Sequence, residues 1–99
     1  QKVLKGEALR HWGLRANQEN LEEALSKFEM IAAANPKDLE TLTYLARGFY
    51  LLADAHLENP DLKKLNFEKG TSYGERAMAT NKAFKDKVSK GESVESALS

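Results

Sequence analysis

The chain has 99 residues, 41% of them hydrophobic and 30% charged, with fifteen basic side chains against fifteen acidic ones and a formal net charge of zero. That length excludes a TIM barrel, a full dinucleotide-binding fold or a two-domain clamp, and leaves room for one modest core. Charge balance removes any general attraction to nucleic acid or anionic lipid, and the lack of cysteine removes disulfides, thiolate metal sites and thiol chemistry.

No apolar run approaches the ~20 residues that a membrane span needs. The longest candidate, Leu39 to Leu57, is interrupted by Arg47 and Asp54. No signal-peptide pattern is visible, the chain starts at Gln1, and Ser93 to Ser99 reads as a helix start cut short. Residues 1–99 are therefore expected to form a single helical domain, as a fragment of a longer chain.

The first helix is predicted over Val3 to Ala16. Leu4, Ala8 and Trp12 recur at i, i+4 and i+8 with Leu9 beside them, and Gly6 and Gly13 weaken the segment. Trp12 is expected in the core. A polar turn, Asn17 to Asn20, follows. Asn20 is expected to cap the second helix, with Glu23 three residues on completing a capping box and the pair Glu22-Glu23 favouring the positive helix end.

The second helix carries Leu21, Ala24, Leu25, Phe28, Ile31 and Ala32 on one stripe, and Asn35-Pro36 stops it. Asp38 caps a third helix, predicted from Leu39 to Leu57. It is apolar around most of its circumference, the pattern of a helix held between neighbours. Its polar strip holds Glu40, Arg47, Asp54 and Glu58. His56, near its end, is expected to pack or to meet carbonyl groups. Asp61 is expected to cap a fourth helix, Leu62 to Thr80, packed through Leu65, Tyr73, Ala77 and Met78. Gly70 and Gly74 lie four apart there and predict the close approach of another helix, because no Cβ intervenes. A short helix over Ala83 to Ser89 is predicted to end at Gly91, with Ser93 capping the start of another.

An internal repeat links these helices. Ala24, Phe28, Ile31 and Pro36 are spaced 4, 3 and 5, which resembles the second helix of a tetratricopeptide repeat. Leu42, Leu45, Ala46 and Phe49 match that repeat's first helix, and Gly70, Gly74, Ala77 and Lys82 repeat the 4, 3, 5 spacing. Ala24 and Gly70 lie 46 residues apart, against about 34 in the standard repeat, which leaves about 12 extra residues. They are placed around Leu57 to Phe67 and expected to leave the stack as a surface excursion, so that deleting Asn59 to Lys64 costs little stability. The predicted fold class is all-α, with tetratricopeptide-like antiparallel helix pairs stacked as a short superhelix.

The run from Leu45 to Leu57, LARGFYLLADAHL, is followed by Phe67-Glu68-Lys69-Gly70, by Gly74-Glu75-Arg76-Ala77 and by Gly91 to Leu98. Together these resemble the T-component of TRAP transporters, over roughly Leu21 to Leu98. The resemblance implies an exported, tetratricopeptide-like accessory protein in the periplasm. It implies a solute-binding protein as partner, no cofactor, and membrane attachment only through a lipid anchor that this chain does not contain.

The residues offer little for catalysis. His11 and His56 lie 45 apart on different helices, no serine has an elbow or base motif, and no phosphate loop occurs. No catalytic residue, no metal ligand and no nucleic-acid partner is assigned. The lysine-rich part after Leu62 lacks a platform of aromatics for stacking bases. The candidate binding residues are Tyr44, Arg47, Tyr50 and Asp54, read as the lining of a groove that pairs aromatics with a few polar groups. The plainer alternative for Arg47 and Asp54 is a solvated strip or an ion pair. The expected function, by that resemblance, is a non-enzymatic periplasmic helical-repeat scaffold; beside it stand two alternatives, a self-associating structural subunit and a carrier of an apolar small ligand.

Overall fold

The computed structural model describes residues 2–80. They form four α-helices and one π-helical turn: α1 (Lys2–Gly13), α2 (Gln18–Ala34), α3 (Leu39–Leu51), the π turn (Leu52–His56) and α4 (Pro60–Thr80). No strand occurs among the described residues. The all-α expectation is met. The short helix over Ala83 to Ser89 and the cap at Ser93 lie outside the described residues.

Helix α1 stops at Gly13, three residues before its predicted end. The chain then closes three-residue turns, with Leu14 N donating to His11 O and Arg15 N to Trp12 O. The cap of α2 is Asn17 rather than Asn20. Its side chain accepts from the Asn20 N–H at 3.0 Å. Asn17 has extended geometry while Gln18 to Asn20 are already helical, so the backbone of Asn20 donates where the sequence suggested that its side chain would accept. Asp38 caps α3 as predicted, accepting from Thr41 N at 3.4 Å and from Thr41 Oγ1 at 3.0 Å. Asn59, not Asp61, caps α4, accepting from the N–H groups of Asp61 and Leu62 at 2.9 and 3.2 Å.

Consecutive helices run antiparallel, as their contacts show. Between α1 and α2, Glu7 meets Lys27 while His11 meets Asn20. Between α2 and α3, the ring of Phe28 stacks on Tyr44 at 4.9 Å, and Gly48 lies against Leu25. Between α3 and α4, Tyr50 meets Phe67 and Phe49 stacks on Tyr73. Helix α3 is thus held between α2 and α4, as its apolar circumference requires. Trp12 reaches across from α1 to Gly48.

The core joins Ala8, Leu21, Leu25, Phe28, Leu42, Leu45, Phe49 and Ala77, with Trp12 buried at its edge. Burying each large apolar side chain contributes roughly 1.5–3 kcal/mol. Thr41 and Thr43 are also buried, and both hydroxyls are satisfied: Thr43 donates to Leu39 O at 2.7 Å and Thr41 to Asp38. Leu9, placed by its spacing near the apolar face, is 38% exposed, and Leu65 is 49% exposed. Neither joins the core that the described residues form.

The excursion predicted around Leu57 to Phe67 is absent as a loop. Helix α3 instead ends in the π turn, closed by Leu57 N donating to Leu52 O at 3.0 Å, and the chain needs only Leu57 to Asn59 before α4 begins. The extra residues lengthen helices: α4 has 21 residues where α2 has 17. Pro60 opens α4 because the first turn needs no N–H donor from it. This segment stays on the surface, but as helix.

Candidate functional site

Gly70 and Gly74 decide how α4 meets α3. Both are buried. A Cβ on Gly70 would come within 3.0 Å of the Ala46 carbonyl oxygen and 3.3 Å of the Tyr50 ring. A Cβ on Gly74 would meet only the Ala46 methyl, at an ordinary 3.9 Å. The backbones therefore touch at Gly70, and from that contact a groove of about 770 Å³ opens between α3 and α4, bounded at one side by the end of α1.

Its floor is Ala46, Gly70 and Gly74. Tyr50, Phe67 and Met78 supply the apolar walls, and Trp12 and Arg15 close the side toward α1. Tyr50 ties the two helices together. Its ring lies 5.6 Å from Phe67, and its hydroxyl shares a 2.6 Å hydrogen bond with Thr71. Thr71 in turn donates to Phe67 O, so Tyr50 accepts no proton from that rotor while the bond persists and donates to Thr71 Oγ1 itself.

The charged residues of the lining differ in exposure. Arg15 and Arg47 are half-buried, with guanidinium carbons 4.9 and 5.7 Å from the centre of the Trp12 ring. Arg15 also donates through Nη1 to the Trp12 carbonyl at 3.1 Å. His56, on the π turn, donates from Nε2 to the Arg15 carbonyl at 3.1 Å and so pins the backbone that carries Arg15. Asp54 and Glu75, also in the lining, are exposed.

Of the four residues singled out from the sequence, Arg47, Tyr50 and Asp54 line this one groove and Tyr44 does not. Tyr44 turns to the opposite side of α3. There it stacks on Phe28 and meets Trp12 edge-on at 5.1 Å, which makes it a packing residue. Trp12 does both jobs: it is buried in the core and shows one part of its ring to the groove. Sequence reasoning missed Arg15 and the α4 wall. The wall was within reach, because Phe67, Thr71, Gly74 and Met78 recur at i, i+4, i+7 and i+11 on the side of the two glycines. Arg15 had no such signal, since it lies past the end of α1 and depends on the turn held by His56.

A second feature lies on the far side of α3. Tyr73 donates its hydroxyl to Glu29 Oε2 at 2.8 Å, joining α4 to α2. Partial burial and the Glu29 carboxylate push its pKa up to about 12. Among the described residues no group of three or more acidic, histidine or cysteine side chains could hold a metal ion, and no helix is long and apolar enough to cross a membrane.

Among the described residues, the fold and the groove define a class: successive antiparallel α-helices that carry a mostly apolar groove with Arg15 and Arg47 in its lining. Compared with known proteins, the chain matches no family model, no curated protein and no solved structure.

Proposed function

We propose that this chain is a non-enzymatic helical scaffold that binds a protein partner through the face carrying the α3–α4 groove. The observation that carries it is the groove itself: an open apolar surface, rimmed by charge, held by a backbone contact at Gly70 rather than filled by side chains. Soluble chains leave such surfaces where something binds. Successive antiparallel pairs and the repeated 4, 3, 5 spacing support a tetratricopeptide-like arrangement, in which first helices face a shared partner side. The resemblance to the T-component of TRAP transporters suggests the partner, an extracytoplasmic solute-binding protein, and a periplasmic setting.

Titration calorimetry of the chain against an extracytoplasmic solute-binding protein of a TRAP transporter tests this. Saturable binding that is weakened by Asp54→Lys at the groove rim is expected. Absence of binding, with the chain folded and monomeric, would reject the scaffold function. Concentration-dependent light scattering that shows self-association without any partner would favour the structural-subunit alternative.

A further inference from the structure

We infer that residues 83–89 of this chain, as a short helix, are the resident occupant of the Met78 end of the α3–α4 groove, so that a partner has to displace them to dock there. The docking of this segment stands without the proposed function; its competition with a partner rests on that function.

Residues 81–99 lie outside the described residues, but the point from which they leave is fixed. Helix α4 ends at Thr80, two residues after Met78, which lines the groove. The sequence that follows carries Phe84 and Val88, four apart and so on one side of a helix, among Lys82, Lys85, Lys87 and Lys90. A helix over 83–89 spans about 10 Å and is too short to hold itself in water, so it persists only where Phe84 and Val88 are covered. Asn81 and Lys82 make a short connection, and such connections return a helix antiparallel along the one before it. The return along α4 has a choice of faces. Ser72, Arg76 and Thr80 are exposed and polar, whereas Gly74 and Met78 line the groove. Two apolar side chains gain by meeting the second face and not the first. Charge agrees, because Glu75 is exposed in the lining and 82–90 carries four lysines against one aspartate. The described helices already pack this way: α3 lies against α2 and is also touched by Trp12 of α1. A helix in the groove would lie against α4 and touch α3 in the same manner. The tether decides between occupants, since a segment attached at Thr80 meets the groove at a far higher effective concentration than a second copy or a free protein.

The test uses the full chain, which has no cysteine of its own, so Ser89→Cys carries a single nitroxide label. Nuclear magnetic resonance then reads which amide signals the label broadens. The expected result is broadening at Ala46 and Arg47 of α3, with Glu19 and Glu22 of α2 unaffected, and loss of the α3 broadening when Phe84→Ser and Val88→Ser are added. An apolar fluorescent probe, N-phenyl-1-naphthylamine, should bind the Phe84→Ser, Val88→Ser chain about tenfold more tightly than the parent, as removal of a competitor that fills the groove in about nine molecules of ten predicts. Circular dichroism checks that this variant keeps its helices, and the broadening in the parent needs no variant at all. No broadening on α3, or equal probe affinity in the two folded chains, would overturn the inference. Broadening passed from labelled to unlabelled copies in a mixed sample would overturn it too, because the occupant would then be a second copy. In calorimetry, partner binding of equal strength in parent and variant would reject the competition. Partner binding absent from both would reject the scaffold function instead, while the docking of 83–89 is read without any partner.

Discussion

Arg47 illustrates how one side chain serves packing and binding together. It is half-buried and lies over the Trp12 ring at 5.7 Å. A cation–π contact of this kind contributes about 1 kcal/mol. Arg47→Ala should therefore lower stability by at least that amount while weakening whatever occupies the groove. Thermal denaturation beside a binding assay checks this, and a loss of roughly 3–5 kcal/mol would instead mark Arg47 as a buried pair member. Tyr73 makes a prediction in pH. Its pKa rises from 10.0 to about 12 on folding, so the unfolded chain loses this proton first. The stabilisation is complete below pH 10 and disappears as pH climbs toward 12. Tyr73→Phe should cost about 1–2 kcal/mol near neutrality, through the lost bond to Glu29. In melts taken across the alkaline range, the gap between variant and parent should close.

At the scale of elements, the two helix contacts of α3 rest on glycines of unequal tightness. A methyl at Gly48 would overlap the Leu25 side chain and press on Trp12. Gly48→Ala should destabilise by about 1–3 kcal/mol, offset only in part by the better helix propensity of alanine. At α4 the pair separates. Gly70→Ala would push against the Ala46 carbonyl, a backbone atom that cannot step aside, whereas Gly74→Ala meets nothing closer than 3.9 Å. Chemical denaturation should show Gly70→Ala less stable than the parent. Gly74→Ala should be unchanged or more stable by up to ~1 kcal/mol. Asn59 belongs to the same scale. As the cap of α4 it should contribute about 1 kcal/mol, read as the loss on Asn59→Ala. Deleting Asn59 to Lys64 then removes the cap and the first turn of a helix, and the small cost expected for a surface loop no longer applies.

For the molecule as a whole, stability comes from a chain of neighbours. Helix α1 packs on α2, α2 on α3 and α3 on α4, with Trp12 as the reach from α1 to α3. Such linear arrangements couple each helix mainly to the next. The groove sits between α3 and α4, beside the end of α1. Arg15 enters it from the end of α1, Arg47 and Tyr50 from α3, and Phe67 and Met78 from α4. No one helix contains the site. Removing α1 should therefore damage the cleft and expose the Trp12 side of the core at the same time. A chain starting at Asn17 should melt earlier.

Local chemistry determined much of this on its own. The stripe from Leu21 to Ala32, the stop at Pro36, the cap at Asp38 and the glycine contact in α4 all depend on periodicity or on one residue's backbone needs, which survive without knowledge of the neighbours. The same local rules erred where two near-equal choices competed. Asn17 and Asn20 are both good caps, and the register of the turn chose between them. Leu65 fits an apolar stripe, yet it stays exposed, outside the core that the described residues form. The candidate site was half legible for a related reason. Arg47 and Asp54 stood out because charge on an apolar helix is rare. Tyr44 and Tyr50 looked alike in sequence, and only packing sent one onto Phe28 and the other into the groove. Arg15 was silent, because its place depends on a hydrogen bond to His56 across 41 residues. Periodicity speaks for one helix at a time, whereas a groove among three helices exists only once their tertiary contacts are made.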